Sequence, residues 1–212
     1  LVLNFSLGSL ILHRMKNLLC TIAIFVFSAS LCASAQEDLA EYIKATYTKY
    51  EHYVPMRDGI RLFTAVYVPK DDAKDYGIMM IRTPYSVSPY GVDHYRHSLG
   101  PSEKFAREGF IFVLQDVRGQ YMSEGEFLDV RPHNPNKKGD QDTDESSDTY
   151  DTVDWLVKNV PNNNGRVGQW GVSYAGWTTL QGMIDAHPAL KASSPQASPS
   201  DMFIGDDWHH NG

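Results

Sequence analysis

The sequence predicts an α/β fold: a mostly parallel sheet with helices on both faces, opened by an antiparallel hairpin. Three observations carry this. Two short, continuous apolar runs, residues 77–83 (GIMMIRT) and 110–115 (FIFVLQ), read as strands covered on both faces. Helical patterns alternate with such runs at the spacing of strand–helix–strand units. Near the front, two β-rich stretches flank an Asp-Gly turn.

In chain order, residues 52–56 and 60–68 (IRLFTAVYV) enclose Arg57-Asp58-Gly59 and are expected to pair as a hairpin. The strand over 77–83 ends at Pro84. Residues 102–108 are expected to be helical and to stop at Gly109, ahead of the strand over 110–115. The next helix is expected over 148–160, with Tyr150, Val153, Leu156, Val157 and Val160 along one stripe. Acids crowd its first turn, Asp148 is its expected cap, and Pro161 with Asn162-Asn163-Asn164-Gly165 ends it. A strand over 167–172, a helix from Tyr174 to about Ala186 and a strand near 192–197 follow. No internal repeat is present, and the acidic, polar stretch 134–148 reads as a loop.

The 212 residues are enough to bury a core, and 42% hydrophobic with 21% charged excludes a disordered tail or a coiled-coil rod. Acids outnumber Lys and Arg by 26 to 19, giving a net charge of −7 without a basic stripe, which argues against a nucleic-acid partner. Met15-Lys16-Asn17, an uncharged apolar stretch over 18–31 and the exit Ala33-Ser34-Ala35 form a secretory signal. The apolar stretch is shorter than the ~20 residues of a spanning helix. The expected organisation is therefore 1–35 as upstream residues and signal, cleaved after Ala35, and 36–212 as a secreted or periplasmic domain without stable membrane insertion. Cleavage removes Cys20 and Cys32, the two cysteines of the chain, and with them any disulfide or thiol nucleophile. It also removes Arg14 and Lys16 and no acid, so the exported part is more acidic still.

The chemistry concentrates at Gly171-Val172-Ser173-Tyr174-Ala175-Gly176, where a strand meets a helix at a serine between small residues. This is the pattern of a nucleophile elbow, although the strict G-x-S-x-G spacing fails because Ala occupies position 175. The sharp turn lifts the Ser173 hydroxyl above the sheet edge and aims the Tyr174 N–H at a developing oxyanion. A glycine-containing strand-to-helix turn with a capping serine is the bland alternative.

Arg82-Thr83-Pro84-Tyr85, Asp116-Val117-Arg118-Gly119 with Ser123-Glu124-Gly125, and Gly171-Val172-Ser173-Tyr174 occur in that order. From Tyr53 to Gly212 the chain thereby resembles the X-Pro dipeptidyl-peptidase and cocaine esterase-like serine hydrolases. Within them it is most similar to α-amino-acid ester hydrolases, which include β-lactam antibiotic acylases. The resemblance implies an α/β-hydrolase domain, with the Tyr85 phenol and the Tyr174 N–H as oxyanion donors; taken alone, Tyr85 reads as a strand-end aromatic. It also implies that Asp207, or failing it Asp206, holds the substrate's α-ammonium; the bland alternative is a solvated acidic loop.

In this fold the acid and the histidine follow the nucleophile on later loops. Asp201, His209 and His210 lie too close together in sequence to supply them, and His94, His97 and His133 precede Ser173. The chain is accordingly expected to be the N-terminal part of a longer hydrolase, catalytically incomplete by itself, its cap and C-terminal β domain lying elsewhere. The expected activity is acyl transfer from small esters or amides of α-amino acids, without cofactor or metal. Competing expectations are a plain esterase, a glutaryl-type acylase, an X-Pro dipeptidyl-peptidase, or a non-catalytic truncated domain that only binds. A homo-oligomer is compatible with all of them. Asp140, Asp142, Asp144 and Asp151 have the spacing of part of a calcium loop, but Glu145 stands where glycine is required, so an acidic loop feeding a helix is the simpler account. The adjacent pair His209-His210 is weak evidence for a metal.

Overall fold

The computed structural model describes residues 39–198; the expected signal and Asp206 and Asp207 lie outside them. Six strands form one sheet: β1 (Tyr47–Pro55), β2 (Arg61–Pro69), β3 (Tyr76–Thr83), β4 (Ile111–Asp116), β5 (Asn163–Val172) and β6 (Leu190–Gln196). Helix α1 covers residues 39–46, followed by α2 (Glu103–Glu108), α3 (Glu145–Asn159) and α4 (Tyr174–Gln181). The strand order is β1-β2-β4-β3-β5-β6. β1 and β2 pair antiparallel, β2 joins β4 antiparallel, and the pairs from β4 to β6 are parallel. The predicted hairpin closes through Gly59, whose positive φ of 87° is open to glycine at no steric cost.

Alternation along the strands divides the core. Val66, Val68, Ile78, Met80, Ile111, Val113 and Val167 face α3, which buries Val153 and Leu156 against them together with Val160 at its C-cap. Phe63, Ala65, Tyr67 and Phe112 face the other way, towards Ile43 of α1, Ala106 of α2, and Val87 and Leu99 between β3 and α2. Each fully buried Val, Leu, Ile, Met or Phe among them stabilises the fold by about 1.5–3 kcal/mol relative to exposure. Tyr150, expected on the buried stripe, sits at its margin, exposed, with its ring against His187.

β5 begins four residues before the expected 167, at Asn163, where it pairs with Tyr76 of β3. Three further boundaries differ from the sequence expectation for physical reasons. β1 begins five residues earlier, at Tyr47, because the charges at Lys49 and Glu51 are accommodated within the strand. The buried Lys49 ammonium donates to the carbonyls of Pro89, Gly91 and His94 (2.6, 2.9 and 3.0 Å) and pairs with Glu51. α3 begins three residues earlier, capped by Asp144 rather than Asp148. The Asp144 carboxylate accepts from the Ser147 N–H while the Ser147 hydroxyl answers the Asp144 N–H, a reciprocal capping box. α4 stops at Gln181, five residues short of Ala186, where Gly182 follows. A methyl group at Gly182 would press on side-chain atoms of Thr149 and Gln169 at 2.8 Å, so α3 and α4 meet over a residue with poor helix propensity.

Asp148 has a different task, at the centre of a buried ion cluster. Its carboxylate takes Arg118 (2.6 and 3.0 Å) and Arg131 (2.7 Å), and Arg82 lies 3.9 Å away. Arg82 also bonds Glu145 (2.9 Å), Thr149 (2.8 Å) and Gln115 (2.7 Å), and Arg118 reaches back to Asp58 (2.7 Å) in the hairpin turn. Three guanidinium groups thus face three carboxylates. Burial would raise the Asp58 pKa, but the hydrogen bonds and charge of Arg118 outweigh it and hold it below the usual range.

Burial likewise acts to raise Asp144, yet the Asn134 N–H, the Lys137 ammonium, the Ser147 N–H and the Ser146 hydroxyl together hold it well below its ordinary 3.8. A carboxylate depressed in the folded state contributes its full stability above the unfolded-state pKa and loses it as the pH falls through the folded value. Asp144→Ala is therefore expected to lower the unfolding free energy at neutral pH by about 1–2 kcal/mol. Urea titrations should show the gap to wild type closing progressively below about pH 4. A gap unchanged with acid would contradict this account.

Candidate active site

Ser173 stands between the last residue of β5 and the first of α4, with φ 59° and ψ −125°, a region that side-chain-bearing residues rarely occupy. The surroundings hold it there. Its N–H donates to the Gln196 carbonyl of β6 at 3.0 Å, and its carbonyl accepts from the Trp177 N–H at 2.9 Å. Two glycines make room for this. A methyl group on Gly171 would strike the backbone of Ala175, and one on Gly176 would strike the Gln196 carbonyl. Ala175 is therefore small enough at its position, while the displaced glycine of the motif serves the contact with β6. The Ser173 side chain lies at the surface.

The Tyr174 N–H lies in the first turn of α4, where backbone donors have no acceptor within the helix, and so it is free to serve a ligand. Tyr85 follows β3, its own N–H donating to the Thr83 hydroxyl at 3.1 Å. Its ring is 62% exposed and packs edge-to-face on Tyr174 with centroids 6.1 Å apart. The structure thus places Tyr85 beside Tyr174, and Tyr174 directly after Ser173, at the carboxyl ends of β3 and β5.

The sequence assigns Tyr174 only a backbone role, and the structure adds one for its side chain. Its hydroxyl accepts the Val130 N–H at 2.7 Å, and its ring meets Phe127 and Trp177. Val130 has φ 44°, a strained value for a β-branched residue, so this bond pins a tense loop over the start of α4. Burial and the adjacent Asp129 carboxylate push the Tyr174 phenol well above its ordinary range, so it remains protonated. Aromatic and apolar side chains, among them Tyr121, Met122 and Leu128, remain exposed on the loop after β4. Another unanticipated group is Asp116, fully buried at the end of β4 and accepting from the Val87 and Met122 N–H groups and the Tyr90 hydroxyl.

Among the described residues no histidine hydrogen-bonds to Ser173; His133, for instance, bonds Ser146 (2.8 Å) through Nδ1, and its backbone N–H donates to the Gln181 side-chain oxygen (2.8 Å). The spaced acids turn to separate partners. Asp142 accepts from the Lys138 N–H, Asp144 caps α3, and Asp151 takes the Arg57 guanidinium. No group of three or more His, Cys, Asp or Glu side chains among the described residues is placed to hold a metal ion.

Comparison with known proteins agrees with this geometry. Cocaine esterase from Rhodococcus sp. (strain MB1 Bresler) is 33% identical over 150 residues, which are 71% of this chain and 23% of the esterase. An aminopeptidase from a marine sediment archaeon, Thaumarchaeota archaeon, superimposes with a TM-score of 0.69 at 43% identity, covering 78% of this chain and 28% of its own. An α-amino acid ester hydrolase gives a TM-score of 0.67 at 40% identity, covering 77% of this chain and 27% of its own. The chain thus spans about a quarter of the length of each of these relatives. Residues 58–212 match the X-Pro dipeptidyl-peptidase (S15) family throughout, and with the strand order and the turn at Ser173 the chain belongs to that family and has its α/β-hydrolase fold.

Proposed function

We propose that this chain carries the nucleophile and the oxyanion site of an exported serine hydrolase that cleaves esters or amides of α-amino acids through an acyl-enzyme. The observation that carries the reading is the backbone of Ser173, held at positive φ on the strand-to-helix turn by β6 and the two flanking glycines. Such strain persists only where the surroundings over-determine it, and here it presents a hydroxyl at the surface beside an N–H that has no partner among the described residues. In the reaction Ser173 Oγ adds to the substrate carbonyl as a general base removes its proton. The Tyr174 N–H and the Tyr85 hydroxyl stabilise the resulting oxyanion, the alcohol or amine leaves, and water releases the acyl group. The base and its partner acid come from residues other than those described. Removal of the signal at Ala35 would deliver the domain to the periplasm or the exterior.

An α-amino acyl substrate is favoured by two relatives at about 40% identity, whose names denote an aminopeptidase and an α-amino acid ester hydrolase. Asp207, with Asp206 as the alternative, would hold the ammonium by a charge-assisted contact. The similarity to cocaine esterase supports a second reading, a plain esterase.

Ser173→Ala in the full-length protein should lower kcat on an activated ester by about 10⁴-fold or more without moving the melting temperature, and persistent turnover would remove Ser173 from its role. An α-amino ester and its deaminated analogue separate the two readings. The α-amino reading requires a higher kcat/KM for the amino ester, reduced roughly tenfold or more by Asp207→Asn. Equal values in the wild type would leave the plain esterase.

A further inference from the structure

We infer that Asp116 and Tyr90 are positioning residues that clamp the loop carrying Tyr85, fixing its phenol at the oxyanion site. The inference rests on the reading of Tyr85 as an oxyanion donor. The Tyr85 ring is largely exposed, with one aromatic neighbour among the described residues, Tyr174, so burial alone does not fix it. Its position therefore depends on the main chain to either side. On the β3 side the Thr83 hydroxyl accepts the Tyr85 N–H, and the Thr83 carbonyl accepts the Val117 N–H at 3.1 Å. On the other side Ser86 has φ 77°, a strained value for serine, and the chain then turns back through Val87 to Tyr90.

Asp116 holds this turn. It stands opposite Thr83 in the parallel pairing of β3 with β4, so its carboxylate lies beside the first residues after β3. One oxygen accepts the Val87 N–H at 2.9 Å and the other the Tyr90 hydroxyl at 3.0 Å. The Tyr90 oxygen in turn lies 2.9 Å from the Ser86 hydroxyl, which also accepts the Ser88 N–H at 3.1 Å. The residues on both sides of Tyr85 are thereby tied, through one carboxylate and one phenol, to the end of β4. The same carboxylate accepts the Met122 N–H at 3.4 Å, and the Asp116 carbonyl takes the Ser123 hydroxyl at 2.6 Å, joining the loop after β4 to the clamp.

The arrangement is costly, since a fully buried carboxylate that pairs with no cation among the described residues loses its hydration for hydrogen bonds alone. Burial accordingly raises the Asp116 pKa against the opposing effect of Tyr90 and the two amides. Tyr90, pushed up to about 12 by burial and by the carboxylate it faces, remains protonated and a donor at neutral pH. An amide or an apolar side chain would satisfy a core more cheaply, but would not accept three donors at two oxygens.

The test is a double-mutant cycle in the full-length protein with p-nitrophenyl acetate, whose small acyl group bypasses any ammonium site. Tyr90→Phe keeps the edge-to-face packing on Phe63 and removes only the hydroxyl. Tyr85→Phe is expected to lower kcat by about 100-fold. Tyr90→Phe is expected to lower it on the order of tenfold with KM unchanged. In the Tyr85→Phe background the added Tyr90→Phe change should then cost nothing further, and Asp116→Asn should behave like Tyr90→Phe. The same loss in both backgrounds would show a general structural effect and overturn the clamp while leaving Tyr85 in its role. Wild-type turnover by Tyr85→Phe would overturn the oxyanion reading and the clamp together.

Discussion

The end of the sheet that carries the site is organised around one buried carboxylate, Asp148. Arg118 and Arg131 bond it directly, and Arg82 faces it while bonding Glu145. Each arginine leads to a different part of the site. Arg82 is the penultimate residue of β3, and its carbonyl accepts the Thr178 hydroxyl of α4, so it joins the start of the Tyr85 loop to the helix that follows Ser173. Arg118 follows β4 and secures the hairpin turn through Asp58. Arg131 closes the strained loop whose Val130 N–H meets Tyr174. Buried ion pairs contribute little net stability against an apolar alternative, but removal of one member leaves an uncompensated charge. The cluster therefore fixes the relative placement of elements more than it strengthens the fold.

That placement matters because the site is built from backbone in unfavourable conformations. Ser173, Ser86 and Val130 all have positive φ, and each is restrained from a different direction. β6 holds the first through the Gln196 carbonyl, Tyr90 the second, and the Tyr174 hydroxyl the third. Strain of about 1–3 kcal/mol at each position is sustained only if these partners are themselves immobile. The parallel sheet and the Asp148 cluster provide that rigidity, which explains why polar groups of this number are buried at one end of an otherwise apolar core.

Those parts of the fold governed by local pattern were legible in the sequence. The apolar runs of β3 and β4, the Asp-Gly hairpin and the serine elbow all declare themselves within a few residues, because continuous burial and tight turns restrict composition locally. The misplaced boundaries share another cause. Lys49 and Glu51 interrupt the strand pattern of β1; carbonyls some forty residues away satisfy the Lys49 ammonium, while Glu51 is met by that ammonium and by the Gly91 N–H. Asp144 and Asp148 are both acids near a helix start, and only the distant arginines distinguish the cap from the ion-cluster centre. Asp116, the Tyr174 hydroxyl and Tyr90 were hidden for the same reason, since their significance lies in partners supplied by other loops. Asp116 did stand in a quoted motif, but a motif marks a residue without saying what it touches.

The two proposed oxyanion donors illustrate how differently a fold can secure equivalent groups. The Tyr174 N–H is fixed by the same backbone turn that strains Ser173, so the proposed nucleophile and this donor cannot move independently. The Tyr85 hydroxyl sits at the end of a flexible side chain on a connecting loop, and its ring is mostly in solvent. Electrostatic stabilisation of a transition state requires donors that are already in place when charge develops. For the backbone donor the α/β scaffold meets this requirement by topology alone. For the phenol it is met by hydrogen bonds converging on Asp116, which makes a costly buried carboxylate intelligible as the counterpart of an exposed tyrosine.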